Sequence, residues 1–314
     1  MDLTWLWITL GVIGGIIVLI FISSIICFHL SIYRYSSWNT EKNEVEFSSL
    51  GKYQEEAETF FKWFHEKGEP IYIESTDHLR LGGLYFACPN AKRTVIMAHG
   101  YRGKPDYDFC LSHHWLYEND CNVLCIYQRA HGLSQGKYIT MGTHEKNDLH
   151  QWVNYIEKQN NLPIYLLGVS MGCATTLMSF DKPYSDRVKG VIADCGYYSI
   201  YRQFMSEVGK KATPVLAAPL LLFSDIWTHM FAHFGIFKPD TRKIMRQFSL
   251  PIIFIHGDAD DFVKPYHTKK NYEACTSSYK KLIIGHGAGH GRTMLTNEKE
   301  YKEEVLELFE KFDK

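Results

Sequence analysis

Ile164-Tyr165-Leu166-Leu167-Gly168-Val169-Ser170-Met171-Gly172-Cys173-Ala174-Thr175-Thr176 joins an apolar run suited to a buried strand to small residues suited to a helix, and the join is Gly-x-Ser-x-Gly. Such a sequence marks a sharp strand-to-helix turn that lifts a serine hydroxyl clear of a parallel sheet. The backbone folds back tightly around Ser170, so a side chain at 168 or 172 would collide with the neighbouring strand or helix. The motif alone decides little, because at ordinary residue frequencies it arises by chance in roughly one chain in ten of this length. A second copy is present, Gly132-Leu133-Ser134-Gln135-Gly136. It stands past the end of an apolar run, after Arg129-Ala130-His131, and precedes the β-like Lys137-Tyr138-Ile139-Thr140. This copy reads as loop, and Ser170 as the candidate nucleophile.

Outward from Ser170 the chain alternates strands and helices. Residues 71–75 and 79–87 alternate like a hairpin around Thr76-Asp77. Buried strands are expected at 94–98, 122–127, 164–169, 188–193, 251–256 and 281–285. Helices are expected at 51–67, 106–119, 143–159, 266–275 and 297–312, the third with Leu149, Trp152, Val153 and Ile156 on its apolar face. An opening hairpin followed by strict alternation predicts an α/β fold: an eight-stranded, mostly parallel sheet covered by helices on both faces. Residues 197–247 break the rhythm. They hold no clear strand but contain the apolar stretch 215–223 with Trp227, Phe231 and Phe234, and read as a helical cap inserted between two core strands.

The N-terminus has a different character. No Asp, Glu, Lys or Arg occurs from Leu3 to Tyr33. Trp5 to Leu30 would make a helix about 39 Å long, enough to cross a hydrocarbon core with some tilt. The start lacks the basic residues of a signal peptide and no Ala-x-Ala site follows, so 1–33 reads as a transmembrane anchor. Trp5, Trp7, Tyr33, Tyr35 and Trp38 bracket it as interfacial aromatics do, and residues 34–69 read as a juxtamembrane linker and helix before a main domain at 70–314. Basic residues follow the span (Arg34, Lys42, Lys52) and none precedes it, which predicts a body facing the cytoplasm. Seven cysteines outside the anchor, an odd number without framework spacing, agree with a reducing compartment. Lys plus Arg (34) nearly balances Asp plus Glu (35), so the chain shows no electrostatic footprint for nucleic acid. Cys121 and Cys125 lack the second pair that a zinc site needs, and the aspartates at 258–261 lack the rest of a calcium loop.

A serine hydroxyl needs an adjacent base, itself held by an acid. In open α/β sheets such groups gather beyond the carboxyl ends of strands. One late strand runs into Gly257-Asp258-Ala259-Asp260-Asp261-Phe262-Val263, and the last into His286-Gly287-Ala288-Gly289-His290-Gly291. The order is therefore Ser, Asp, His. By residue type alone, Asp258, Asp260 and Asp261 all remain candidate acids. His99, His131 and His256 each precede a glycine at a turn and are expected to satisfy backbone groups there.

With these motifs, together with His99-Gly100-Tyr101-Arg102-Gly103 and Gln128 to Ser134, residues 70–314 resemble the α/β-hydrolase superfamily, in particular bacterial serine hydrolases of the lysophospholipase-like and serine-aminopeptidase-like group. The resemblance selects Asp260, three residues after Gly257 and three before Val263, as acid. It selects His290, in a Gly-His pair, as base over His286. The turn itself sets the Met171 N–H as one oxyanion-hole donor, and the resemblance puts the other at the Tyr101 N–H. Two positions depart from the family pattern: Ala130 stands where a glycine is usual, and Lys264 displaces the usual proline to Pro265. Together with the anchor, the resemblance implies a membrane-anchored serine hydrolase that acts on esters and needs no metal or organic cofactor, and the apolar cap with the anchor points to lipophilic acyl substrates such as monoacylglycerols or lysophospholipids. A serine peptidase of the aminopeptidase or acylpeptide type and a catalytically silent scaffold are the alternatives.

Overall fold

The computed structural model describes residues 3–34, 48–210 and 213–314. Most of the expected linker, with Tyr35, Trp38 and Lys42, lies outside the described residues. By internal packing the chain divides into two compact units, Met1–Tyr33 with Ser199–Pro239 and Arg34–Tyr198 with Asp240–Lys314.

The larger unit carries the sheet. After a 3-10 turn at Ser48–Tyr53 and helix α2 (Gln54–Lys67), β1 (Glu69–Glu74) and β2 (Arg80–Phe86) form the expected hairpin. The strands that follow are β3 (Arg93–Ala98), β4 (Cys121–Ile126), β5 (Ile164–Val169), β6 (Val188–Asp194), β7 (Ile252–Gly257) and β8 (Lys280–Gly285). Their spatial order is β1-β2-β4-β3-β5-β6-β7-β8. β2 runs antiparallel to both neighbours and every other pair is parallel. The inner strands read as continuous apolar runs because both faces of a parallel sheet are covered. On one face Val95, Met97, Val123, Cys125, Tyr165 and Leu167 pack with Tyr301, Val305, Leu308 and Phe309 of α12 (Glu298–Phe312). On the other, Ile96, Ala98, Leu124, Ile126 and Leu166 pack with Leu149, Trp152, Val153 and Ile156 of α5 (Glu145–Gln159), the residues its spacing singled out. α6 (Met171–Ser179) and α10 (Tyr266–Ala274) follow β5 and β7.

One expected helix is broken. Residues 106–119 form α3 (Pro105–Asp108) and α4 (Ser112–Glu118) instead of a single element. At the break Cys110 N–H bonds to Tyr107 O (3.4 Å), three residues back instead of four, while the Asp108 carboxylate is drawn to Gly100 N–H (2.8 Å). This tightened turn is a local change that apolar spacing does not register.

The smaller unit is helical: α1 (Thr4–Ile32), α7 (Ile200–Gly209) and α8 (Pro214–Ala232). α9 (Thr241–Met245), at the end of the insertion between β6 and β7, belongs with the sheet. α1 and α8 are each long and apolar enough to cross a membrane.

Candidate active site

β5 delivers Ser170 at its carboxyl end, and α6 begins one residue later. Ser170 sits at φ 57°, ψ −117°, a backbone state that costs a non-glycine residue on the order of 1–3 kcal/mol and persists only where its surroundings impose it. They do so here through close approach. A Cβ on Gly172 would lie 1.9 Å from Ala98 O on β3, and one on Gly168 would lie 2.4 Å from Gly172 O. Ser170 N–H donates to Asp194 O at the end of β6 (2.9 Å), which ties the turn to the neighbouring strand.

Three strand ends converge on this hydroxyl. His290, beyond β8, places Nε2 2.8 Å from Ser170 Oγ, and its Nδ1 lies 2.7 Å from Asp260 Oδ2, beyond β7. Asp260 is buried and also accepts from Phe262 N–H and Val263 N–H, both at 2.9 Å. Burial alone would raise its carboxyl, but hydrogen bonds and charge from His256 and His290 outweigh that and hold it well below the usual carboxylate range. An ionised carboxylate only accepts, so His290 Nδ1 carries the proton and Nε2 is left to accept from Ser170. Asp258 and Asp261 stand elsewhere: Asp258 pairs with the exposed His286 (2.9 Å), and Asp261 faces Lys264.

The loop carrying Tyr101 is pinned on both sides. Gly100 N–H donates to Asp108, and Arg102 N–H donates to His131 Nε2 (3.1 Å). His131 in turn donates from Nδ1 to Arg129 O (2.9 Å). Burial pushes His131 down to about 4, so the ring is neutral and able to accept. His99 works in the same way, taking Gln128 N–H at Nε2 (3.0 Å) and donating to Gly100 O (2.7 Å). Met171 opens α6, so its N–H has no acceptor within the helix.

Sequence reasoning missed two members of this constellation. His256 does satisfy a backbone group, Val263 O at 2.7 Å, but the same Nε2 lies 3.1 Å from Asp260 Oδ2 and makes His256 a second support for that carboxylate. Its position at the end of β7, four residues before Asp260, was the available signal. Asp108 lines a cavity of about 240 Å³ that also contains Ser170, His290 and Tyr101. Burial raises its carboxyl to about 6, against the opposing effects of the Gly100 N–H and His290. No local pattern marks it, because its partner lies eight residues back at another turn. The rest of the cavity wall is largely apolar and includes Leu111, Val169, Phe262, Met294 and Leu295.

Ser134, in the second Gly-x-Ser-x-Gly, is 1 % exposed and makes no contact with this site. Its hydroxyl donates to Tyr127 O and accepts from Gly82 N–H. Among the described residues, Cys195, Asp260 and His290 form the group whose donor atoms come close enough to consider for a metal, within 4.8 Å. Asp260 and His290 are already bonded to each other, and burial pushes the Cys195 thiol well up, so the set favours proton chemistry over ion binding.

The sheet order, the strained turn after β5 and the groups gathered beyond three strand ends define the α/β-hydrolase fold. Within it, residues 89–230 match the family described as serine aminopeptidase, S33. Among curated proteins, the chain is 26 % identical over 230 residues to the uncharacterized protein YqkD of Bacillus subtilis, covering 73 % of this chain and 74 % of that one. It is 25 % identical over 230 residues to the uncharacterized membrane protein YNL320W of Saccharomyces cerevisiae, covering 72 % and 75 %. Among solved structures, the Pyrococcus furiosus esterase Pf2001 is similar with a TM-score of 0.62 at 22 % identity, over 79 % of this chain and 93 % of that one.

Proposed function

We propose that this α/β hydrolase is a serine esterase that works through an acyl-Ser170 intermediate. The observation that carries the reading is the unbroken relay Ser170 Oγ–His290–Asp260, at 2.8 and 2.7 Å. His290 Nε2 takes the hydroxyl proton as Oγ bonds to the acyl carbon, and the carbonyl electrons move onto oxygen. Met171 N–H and Tyr101 N–H receive that oxyanion. The bond to the leaving alkoxide then breaks, and its oxygen takes the proton from Nε2. Water repeats the sequence and frees the acid. Asp260 keeps the ring oriented and stabilises its charged form. The apolar wall beside Ser170 favours a lipophilic acyl group, and the likeness to an esterase fold is consistent with ester substrates. A fluorophosphonate probe tests the reading: wild type should label, Ser170→Ala should not, and Ser134→Ala should. Labelling that survives Ser170→Ala overturns it, and no labelling of the folded wild type brings forward the silent scaffold.

One feature favours an aminopeptidase instead. Asp108, once ionised, gives the same cavity a carboxylate able to meet a substrate ammonium. Comparing hydrolysis of acyl nitrophenyl esters with that of aminoacyl nitroanilides separates the two.

We further propose that α1 crosses the membrane once and leaves the body on the cytoplasmic side, supported by Arg34 and Lys52 after the span. A protease added outside sealed, right-side-out vesicles should leave the body intact. Its digestion there reverses the orientation.

A further inference from the structure

α8 carries most of its large aliphatic residues on the outside, and small or polar residues fill most of its buried positions. On α8 the buried positions are Ala217, Leu221, Ser224, Thr228 and Ala232, a stripe of mostly small residues. The large side chains point outward: Val215 is 81 % exposed, Leu222 57 % and Met230 57 %, with Leu216 and Ile226 also exposed. A helix packing onto a water-soluble core shows the opposite arrangement. In lipid there is no hydrophobic drive between helices, so small residues take the interface and large ones face the acyl chains.

Polar groups follow the same logic. The hydroxyls of Thr9, Ser24, Ser224 and Thr228 all donate to carbonyls of their own helices, at 2.6–3.0 Å. Trp227 Nε1–H donates across to Ser24 Oγ at 2.7 Å, which joins α8 to α1. Phe21 meets Phe223 and Trp227 at ring distances of 5.4 and 4.9 Å, and Phe28 meets Phe231 at 5.8 Å, so the two helices run side by side in the same direction. From Pro214 to Ala232 the only charged residue is Asp225, and its carboxylate takes Ile236 N–H at 2.5 Å and faces the His229 ring at 3.4 Å. The exposed face of α8 therefore continues the exposed apolar surface of α1 without an intervening charge.

We propose that α8 is a second membrane-embedded helix, seated against α1 with Val215, Leu216, Leu222, Ile226 and Met230 in contact with the acyl chains of a phospholipid bilayer. This rests on reading α1 as the anchor. α7, at about 15 Å and carrying Arg202 and Glu207, is too short and too charged to cross the hydrocarbon core, so it is not a further crossing. The residues between β6 and β7 would then form a membrane-held element instead of a lid moving in water, and lipophilic substrate would partition into the surface that this element occupies.

The test places a photo-crosslinking diazirine residue at single positions of the full chain in phosphatidylcholine–phosphatidylglycerol vesicles. Positions Val215 and Leu222 sample α8, Leu19 samples α1, and the exposed Glu303 is the aqueous control. Crosslinks to phospholipid from 215, 222 and 19, at least ten-fold above those from 303, are expected. Lipid crosslinks from 19 with none from 215 and 222 overturn the embedding of α8 and leave the anchor standing. Crosslinks from 215 and 222 to a second copy of the chain also overturn it, in favour of a dimer face. Absence of lipid crosslinks from 19 removes the anchor reading, and the inference with it.

Discussion

The two Gly-x-Ser-x-Gly stretches share a pattern and almost nothing else. Around Ser134 every polar group is closed off: the hydroxyl bridges Tyr127 O and Gly82 N–H, and nearby Arg129 makes a two-pronged pair with Asp148 at 2.7 Å and a further bond to Asp77 at 2.9 Å. Arg34 adds its own hydrogen bond to Gly132 O at 2.9 Å. Around Ser170 the backbone is strained, the hydroxyl's partner is a titratable ring, and buried carboxyls stand nearby with incomplete compensation. Asp194 shows this most plainly: burial raises it to about 6, and its Oδ1 has no hydrogen-bond partner. A loop whose groups are all satisfied is finished as structure. A turn that keeps strain and polar groups in reserve has been shaped for something outside the fold.

The largest test of that contrast exchanges the two serines for alanine. Ser170→Ala should lower ester turnover on the order of 10⁵- to 10⁶-fold, the scale seen when a triad nucleophile is removed, while leaving the thermal midpoint close to wild type. Ser134→Ala should do the reverse. It keeps turnover and loses about 1–3 kcal/mol of stability, because Gly82 N–H is left buried without an acceptor. Equal losses of turnover from both would erase the distinction.

Asp260→Asn comes next, with an expected fall of about 10⁴-fold as His290 loses the partner that fixes its tautomer. Asp258→Asn, whose carboxylate meets the exposed His286, should stay within about three-fold of wild type, since surface pairs contribute little. A strong effect at 258 with none at 260 would reassign the acid.

Much of this is legible in the sequence. The strand-turn-helix around Ser170 and the alternation that follows it are local patterns, and local patterns survive in sequence. Ser170, Asp260 and His290 lie 120 residues apart at most, yet each sits at the end of a strand, so knowing the strands placed them together. Asp108 was not legible because its role comes from a turn eight residues away, and it stands at the end of α3, inside what spacing predicted as one helix over 106–119. His256 showed only half its function, since one nitrogen serves both a carbonyl and Asp260. The inside-out pattern of α8 was also hidden: its apolar content was plain in sequence, but which residues face outward depends on α1, whose Ser24 lies 203 residues before its partner Trp227.

The smallest expected effect concerns Asp108 and sharpens the comparison through pH. Its carboxyl is raised to about 6 from an ordinary value near 4, so the folded protein binds a proton there that the unfolded chain has already released. Stability should therefore fall as pH rises through the window from about 4 to 6, and be lowest above it. A shift of about two units corresponds to roughly 2–3 kcal/mol, a few degrees in melting temperature for a chain of this size. Asp108→Asn keeps an oxygen for Gly100 N–H and removes the charge, so its melting temperature should exceed wild type by those few degrees at pH 8 and match it near pH 4. Turnover at pH 7 reports separately on the loop, since a variant that holds Gly100 as the carboxylate does should lose less than about ten-fold. Asp108→Ala, which leaves that N–H without its acceptor, should lose more than Asp108→Asn and should do so at every pH. If the two variants melt and turn over alike, the bond to Gly100 does not position the Tyr101 loop, and the reserve held around Ser170 lies in the strained turn and the relay alone.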